Sequence, residues 1–116
     1  MNTKPQLAGR VAVVTGASKG IGAGIARRLA ADGAAVVVSY ATARSDADRV
    51  VGDITAAGGR AAAVQADLTK REDVVRLFDG AMQTFGRLDI LVNNAGLYEF
   101  QPLEGITEEN FYRQFD

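Results

Sequence analysis

The segment Thr15-Gly16-Ala17-Ser18-Lys19-Gly20-Ile21-Gly22 constrains this chain more than any other stretch. It follows a β-branched run, Val11-Ala12-Val13-Val14-Thr15. Runs of that kind suit a strand buried on both faces of a parallel sheet. It precedes a helical pattern with Ile21, Ile25 and Leu29 on one side and Arg27, Arg28 and Asp32 on the other. Glycines at 16, 20 and 22 permit a tight reversal, close approach of backbone to a phosphate, and close packing of helix on strand. The helix N-terminus adds unpaired N–H groups and about half a positive charge. The bland alternative is a glycine-rich connection that binds nothing. Its position after a strand, opening a helix, within a βαβ unit of about 30 residues, favours a pyrophosphate cradle. Gly24 falls inside the helix and reads as a site of close packing, with no binding role assigned.

Strand-like and helix-like segments then alternate. Gly33 stands where a helix C-cap glycine belongs. Ala35 to Tyr40 is the second strand, and Ser45 to Ala57 the second helix, with Val50, Val51 and Ile54 inward and Gly58-Gly59 as its stop. Ala61 to Ala66 is the third strand. Thr69-Lys70-Arg71-Glu72 reads as a capping box, Thr69 capping the helix and Glu72 reaching back. Val74, Leu77, Phe78, Ala81 and Phe85 form one apolar face, and Gly86 ends that helix. Leu88 to Val92 is the fourth strand, and Thr107 caps a last helix beginning Glu108-Glu109-Asn110-Phe111. The order β-α-β-α-β-α-β implies an α/β fold with right-handed crossovers. The expected architecture is a Rossmann-type parallel sheet in strand order 3-2-1-4, helices on both faces, ending at strand 4, with the ligand at the switch between strands 1 and 4. One domain, 1–116, accounts for the chain.

Composition narrows the chemistry. Lys and Arg number 13 against 14 Asp and Glu, a net charge of −1, so no concentrated positive patch favours nucleic acid or an anionic membrane. The chain has no Cys and no His, which removes disulfides, thiol chemistry, imidazole catalysis and nearly every zinc or copper site. Met1 to Arg10 holds no signal-like apolar run, and no stretch approaches the roughly 20 apolar residues of a membrane helix. A soluble, cytoplasmic protein is expected.

The glycine spacing is Gly-x-x-x-Gly-x-Gly. With Asn93-Asn94-Ala95-Gly96 at the end of strand 4 and Asp67-Leu68 at the end of strand 3, it resembles the short-chain dehydrogenase/reductase family. The resemblance runs from about Gly9 to Asp116 and looks nearest to the 3-oxoacyl-carrier-protein reductase and glucose dehydrogenase-like branch. It implies that Asp67 accepts a hydrogen bond from the adenine amino group with the Leu68 backbone beside it, and that Asn93 to Gly96 flank the adenosine and its ribose. The lesser alternative for Asp67 is a strand-end turn residue. Asn94 could tie strand 4 to neighbouring backbone, and the Thr15 hydroxyl could bond to the Ala95 region. The cofactor-binding set implied in this way is Gly16, Ser18, Lys19, Gly20, Ile21, Gly22, Tyr40, Arg44, Asp67, Leu68, Asn93, Asn94, Ala95 and Gly96.

The second strand ends Val37-Val38-Ser39-Tyr40-Ala41-Thr42, without the carboxylate that would bind a ribose 2′-hydroxyl and select NAD. Lys19 resembles the basic site of NADP-preferring relatives, and Arg44 is a second candidate. The alternatives are a solvated lysine and a helix-start charge. Asp46 and Asp48 fall in the first helical turn, past the ribose. NADP(H) is therefore expected over NAD(H).

The resemblance implies an Asn-Ser-Tyr-Lys catalytic set, with Tyr-x-x-x-Lys on a later helix. Tyr40, Tyr98 and Tyr112 have no Lys four residues on, and the catalytic Asn would follow soon after Phe115-Asp116. Glu99, Glu104, Glu108 and Glu109 read as solvated charges, so no residue here is assigned as catalytic or metal-ligating. The expectation is the cofactor-binding front half of an oxidoreductase acting on a small carbonyl or alcohol, inactive alone. The alternative is a non-catalytic dinucleotide-binding or assembly module. Strand 4, Asp89-Ile90-Leu91-Val92-Asn93, is expected to be a bare edge, and with Phe111 and Phe115 to favour a homo-oligomer.

Overall fold

The computed structural model of the chain describes residues 6–94 and 100–102. Its elements are β1 (Val11–Val14), α1 (Gly20–Ala31), β2 (Ala35–Tyr40), α2 (Arg44–Ala56), β3 (Arg60–Gln65), α3 (Arg71–Phe85), β4 (Ile90–Val92) and β5 (Phe100–Pro102). The helix expected after Thr107 lies outside the described residues, as do Ala95, Gly96, Tyr98 and Phe111.

Strand order is β3-β2-β1-β4-β5. The first four strands are parallel, with Val11 opposite Ala35, Ala12 opposite Ile90 and Ala35 opposite Arg60. The expected 3-2-1-4 core is thus present. The bare edge is not: β5 runs antiparallel to β4 through Ile90↔Pro102, Leu91↔Gln101 and Val92↔Phe100. A row of unpaired backbone groups accepts any extended segment within reach. Pro102 counts against a strand in a sequence reading, yet proline is tolerated on an edge.

Alternation along the strands separates two cores. Ala12, Val14, Val36, Val38 and Val92 face α1 and α2, packing on Ala23, Ala26, Leu29, Ala47, Val50 and Ile54. Val11, Val13, Ala35, Val37 and Leu91 face α3, packing on Val74, Leu77 and Ala81. Each fully buried valine or leucine contributes roughly 1.5–3 kcal/mol relative to exposure, which is why these runs carry so few polar residues.

Two local expectations fail for identifiable reasons. Ile21 does not face the core; it is 65% exposed, and the buried stripe of α1 is Gly22, Ala23, Ala26 and Leu29. Gly22 sits against the strand-to-helix turn, and this contact sets the rotation of the helix, one residue away from the pattern the large side chains suggest. Nor does Thr69 cap α3. Lys70 is the N-cap residue and provides no side-chain hydrogen bond, while the Thr69 hydroxyl donates to Asp67 Oδ1 at 2.6 Å. A carboxylate is the stronger acceptor and takes the hydroxyl. Asp73, rather than Glu72, reaches back, its Oδ2 accepting the Asp67 N–H at 2.7 Å.

Gly33 behaves as expected. At φ 104° it closes α1, its N–H donating to the Ala30 carbonyl while Ala34 N–H donates to Leu29. At the N-terminal end of the sheet Asp89 joins β1 to the start of β4. Its Oδ2 accepts the Val11 N–H at 2.9 Å, and its Oδ1 faces Arg87 at 2.6 Å and Arg10 at 3.6 Å. Among the described residues no helix is long and apolar enough to cross a membrane.

Candidate dinucleotide site

The glycine turn leaves β1 at the C-terminal edge of the parallel strands, beside the end of β4. Thr15 N–H donates to the Val92 carbonyl at 3.0 Å, and its hydroxyl donates to the same oxygen at 3.3 Å. That hydroxyl also accepts the Asn94 N–H at 3.0 Å. Asn94 Nδ2 then donates to the Gly16 carbonyl at 3.1 Å. Asn94 therefore ties the end of β4 to the first glycine, the structural role that its sequence position allowed. Its Oδ1 is buried and unpartnered among the described residues. The Thr15 hydroxyl is engaged by Val92 and Asn94; Ala95 and Gly96 lie outside the described residues.

The three glycines of the turn answer to two different demands. Gly16 and Gly20 adopt φ 60° and 64°, the left-handed region that side chains avoid. Gly22 has ordinary φ, but a Cβ there would stand 2.2 Å from the Gly16 oxygen. The helix can approach the turn only without that atom. Gly24 gives a different answer from the close packing expected of it, for a Cβ there meets nothing within 4 Å.

α1 begins with no side-chain cap and no acidic residue in its first turn, whereas α2 has Asp46 there and α3 has Glu72 and Asp73. The N–H groups of Gly20, Ile21 and Gly22 find no acceptor among the described residues. A positive helix terminus with three open donors has the electrostatics to hold an anion. Lys19, exposed at the N-cap position, adds a cation, and exposed Ile21 adds an apolar face. Ser18 is half-buried inside the turn, whose Ala17 N–H is fixed to the Ser39 carbonyl at 3.0 Å.

The ends of β2 and β3 continue the same edge. Tyr40 is 9% exposed, and its carbonyl accepts the Ala66 N–H at 2.9 Å. Arg44 is the first residue of α2, exposed, with Nε 3.7 Å from Asp48 Oδ2. This is the helix-start placement that its sequence position also allowed. Asp67 and Leu68 are half-buried just after β3. Asp67 Oδ1 accepts both the hydroxyl and the N–H of Thr69, leaving Oδ2 unbonded among the described residues. Those two bonds, with the charge of Lys70, outweigh slight desolvation and hold the Asp67 carboxyl below its ordinary range. It is a charged acceptor with one oxygen available. Asn93 is buried at the end of β4.

The sequence profile of the short chain dehydrogenase family matches residues 10–116. The chain belongs to the short-chain dehydrogenase/reductase family. It is 60% identical over 111 residues to an uncharacterized oxidoreductase of Methylorubrum extorquens, covering 96% of this chain and 45% of that protein. It is 52% identical over 114 residues to a hydroxynaphthalene reductase-like protein of Metarhizium majus, covering 98% and 43%. Among solved structures, a dehydrogenase/reductase from Sinorhizobium meliloti superposes with a TM-score of 0.78 at 46% identity, covering 96% of this chain and 44% of that one. A short chain dehydrogenase from Burkholderia cenocepacia, in complex with NADP, gives 0.76 at 44% identity, covering 95% and 45%. This short-chain dehydrogenase/reductase sequence thus spans less than half the length of these relatives.

The structure also places beside the site three side chains that no motif singled out: Gln65, Asp73 and Arg76. Gln65 Nε2 donates to the Ala41 carbonyl and Arg76 Nη2 to Gln65 Oε1, while Asp73 holds Asp67 N–H. Their partners lie on different elements, so no local spacing announces them. Among the described residues no group of three or more His, Cys, Asp or Glu side chains could hold a metal.

Proposed function

We propose that this segment is the dinucleotide site of an oxidoreductase that moves hydride between NADP(H) and a carbonyl or alcohol substrate. The observation that carries the reading is the bare N-terminus of α1 behind the glycine turn, with three open N–H donors and Lys19 at its rim. Gly16, Ser18, Gly20, Ile21 and Gly22 would hold the pyrophosphate. Lys19, with Arg44 across the edge, would meet the 2′-phosphate, while Tyr40, its side chain packed in the core, would line the end of β2 through its backbone. Ser39 to Thr42 contain no carboxylate to repel that phosphate, and a relative of the same fold is solved with NADP. Asp67 Oδ2 would accept the adenine amino group beside Leu68, and Asn93 to Gly96 would flank the ribose.

The cofactor, once bound, supplies the hydride; the chain's residues hold it and orient it. The proton for the developing alkoxide needs a general acid. These 116 residues contain no Tyr-x-x-x-Lys pair to provide one, so the segment alone binds without turning over. Calorimetric titration with NADPH and NADH, followed by NADPH oxidation against ketones and 3-oxoacyl thioesters, tests both halves of the reading. The full-length protein is expected to bind NADPH the more tightly and to oxidise it with substrate; the 116-residue segment is expected to give no turnover. Binding without turnover by the full-length protein would establish a non-catalytic module instead, and absence of binding would overturn the site.

A further inference from the structure

Beyond the last main-chain rung, Ala66 N–H to Tyr40 O at 2.9 Å, the ends of β2 and β3 separate into two turns. A chain of side chains spans them. Gln65 Nε2 donates to the Ala41 carbonyl at 3.0 Å, and Gln65 Oε1 accepts from Arg76 Nη2 at 3.2 Å. The same Nη2 lies 3.4 Å from Asp73 Oδ1, and Asp73 Oδ2 accepts the Asp67 N–H at 2.7 Å. Donors and acceptors alternate without conflict. A guanidinium only donates, so Arg76 turns the Gln65 oxygen toward itself and the Gln65 amide NH₂ toward Ala41.

Gln65 and Arg76 are exposed, so the links they make add little to global stability. What the chain does is fix one turn relative to the other. Taking the dinucleotide reading above as its basis, we infer that Gln65, Arg76 and Asp73 are positioning residues for the adenosine half of the cofactor. Gln65 and Arg76 set the β2–α2 turn that meets the 2′-phosphate, and Asp73 sets the Asp67-Leu68 turn that meets adenine. Holding a site in its bound geometry raises affinity by removing the cost of ordering it.

Adenosine 2′,5′-bisphosphate and AMP separate the two turns, because only the first ligand engages the 2′-phosphate turn. Their affinities are measured by calorimetry on the full-length protein and its Gln65→Met, Arg76→Met, Arg76→Lys and Asp73→Ala variants. Gln65→Met and Arg76→Met are expected to lower the preference for the bisphosphate over AMP about 3–10-fold, the scale of one lost hydrogen bond. AMP affinity should stay within about twofold and the thermal midpoint within about 3 °C, as for other surface changes. Arg76→Lys should restore part of the preference, and Asp73→Ala should weaken both ligands together. A wild-type preference in Gln65→Met and Arg76→Met overturns the inference, as does a preference that falls only in step with the thermal midpoint. Failure of the unmodified protein to bind either ligand overturns the dinucleotide reading and this inference with it.

Discussion

A Cβ on Gly22 would stand 2.2 Å from the carbonyl oxygen of Gly16 and 2.7 Å from Asn94 Nδ2. Both neighbours are fixed, the first as backbone and the second by its bond to that same oxygen. Gly22→Ala must therefore push α1 away from the turn. The expected loss is about 1–3 kcal/mol, the range for overpacking a close contact. NADPH binding should weaken with it, because the helix N-terminus moves. Urea unfolding and NADPH titration check both; a variant with wild-type stability and affinity would contradict the geometry.

Lys19 stands exposed at the N-cap of α1, with no cap bond from its side chain. Lys19→Glu replaces a cation by an anion beside the proposed 2′-phosphate. NADPH affinity should fall by about 1–3 kcal/mol, the range for a charge-assisted contact, and NADH affinity should change little. Parallel calorimetric titrations with the two cofactors measure this difference. Equal losses for both would assign Lys19 to the shared pyrophosphate.

Gly24 and Gly52 lie inside α1 and α2, exposed, and a Cβ at either would meet nothing within 4 Å. Neither has positive φ. Alanine there loses less conformational freedom on folding than glycine, so Gly24→Ala and Gly52→Ala should each stabilise by about 0.5–1 kcal/mol. Chemical denaturation of each variant gives the value, and destabilisation at either position would reveal a contact on that helix face.

Desolvation pushes the Asp89 carboxyl upward, but the bonds from Arg87 and Val11 N–H and the charges of Arg87 and Arg10 outweigh it and leave it below its ordinary range. A depressed carboxylate adds stability above its unfolded value, near about 3.9, and that stability is lost as pH falls through the folded value. Asp89→Asn should destabilise at neutral pH and flatten the decline in stability between about pH 5 and 3. Denaturation curves across that range decide it; equal slopes in both proteins would remove Asp89 from the acid response.

The order of elements was legible in the sequence because it follows from local rules. Val11 to Val14 and Ala35 to Tyr40 are apolar runs that only a doubly covered strand explains, and Gly33 marks a helix end that requires positive φ. The turn from Gly16 to Gly22 was likewise readable, since its glycines answer to backbone geometry and close approach. Thr69 and Ile21 were misread. Their roles depend on which neighbour wins: the Asp67 carboxylate takes the Thr69 hydroxyl, and the Gly22 contact turns Ile21 outward.

By itself, then, the sequence determined an alternating α/β chain with a phosphate-binding turn, because periodicity and glycine geometry act over a few residues. Only the tertiary structure decided the pairing of β5 with β4, the bond from Asn94 to Gly16, and the chain from Ala41 through Gln65, Arg76 and Asp73 to Asp67. Apart from the Arg76–Asp73 pair, which lies within α3, these contacts join parts of the chain that local patterns do not connect. Hydrogen bonds are short and directional, so whether they form depends on where the whole sheet brings donor and acceptor.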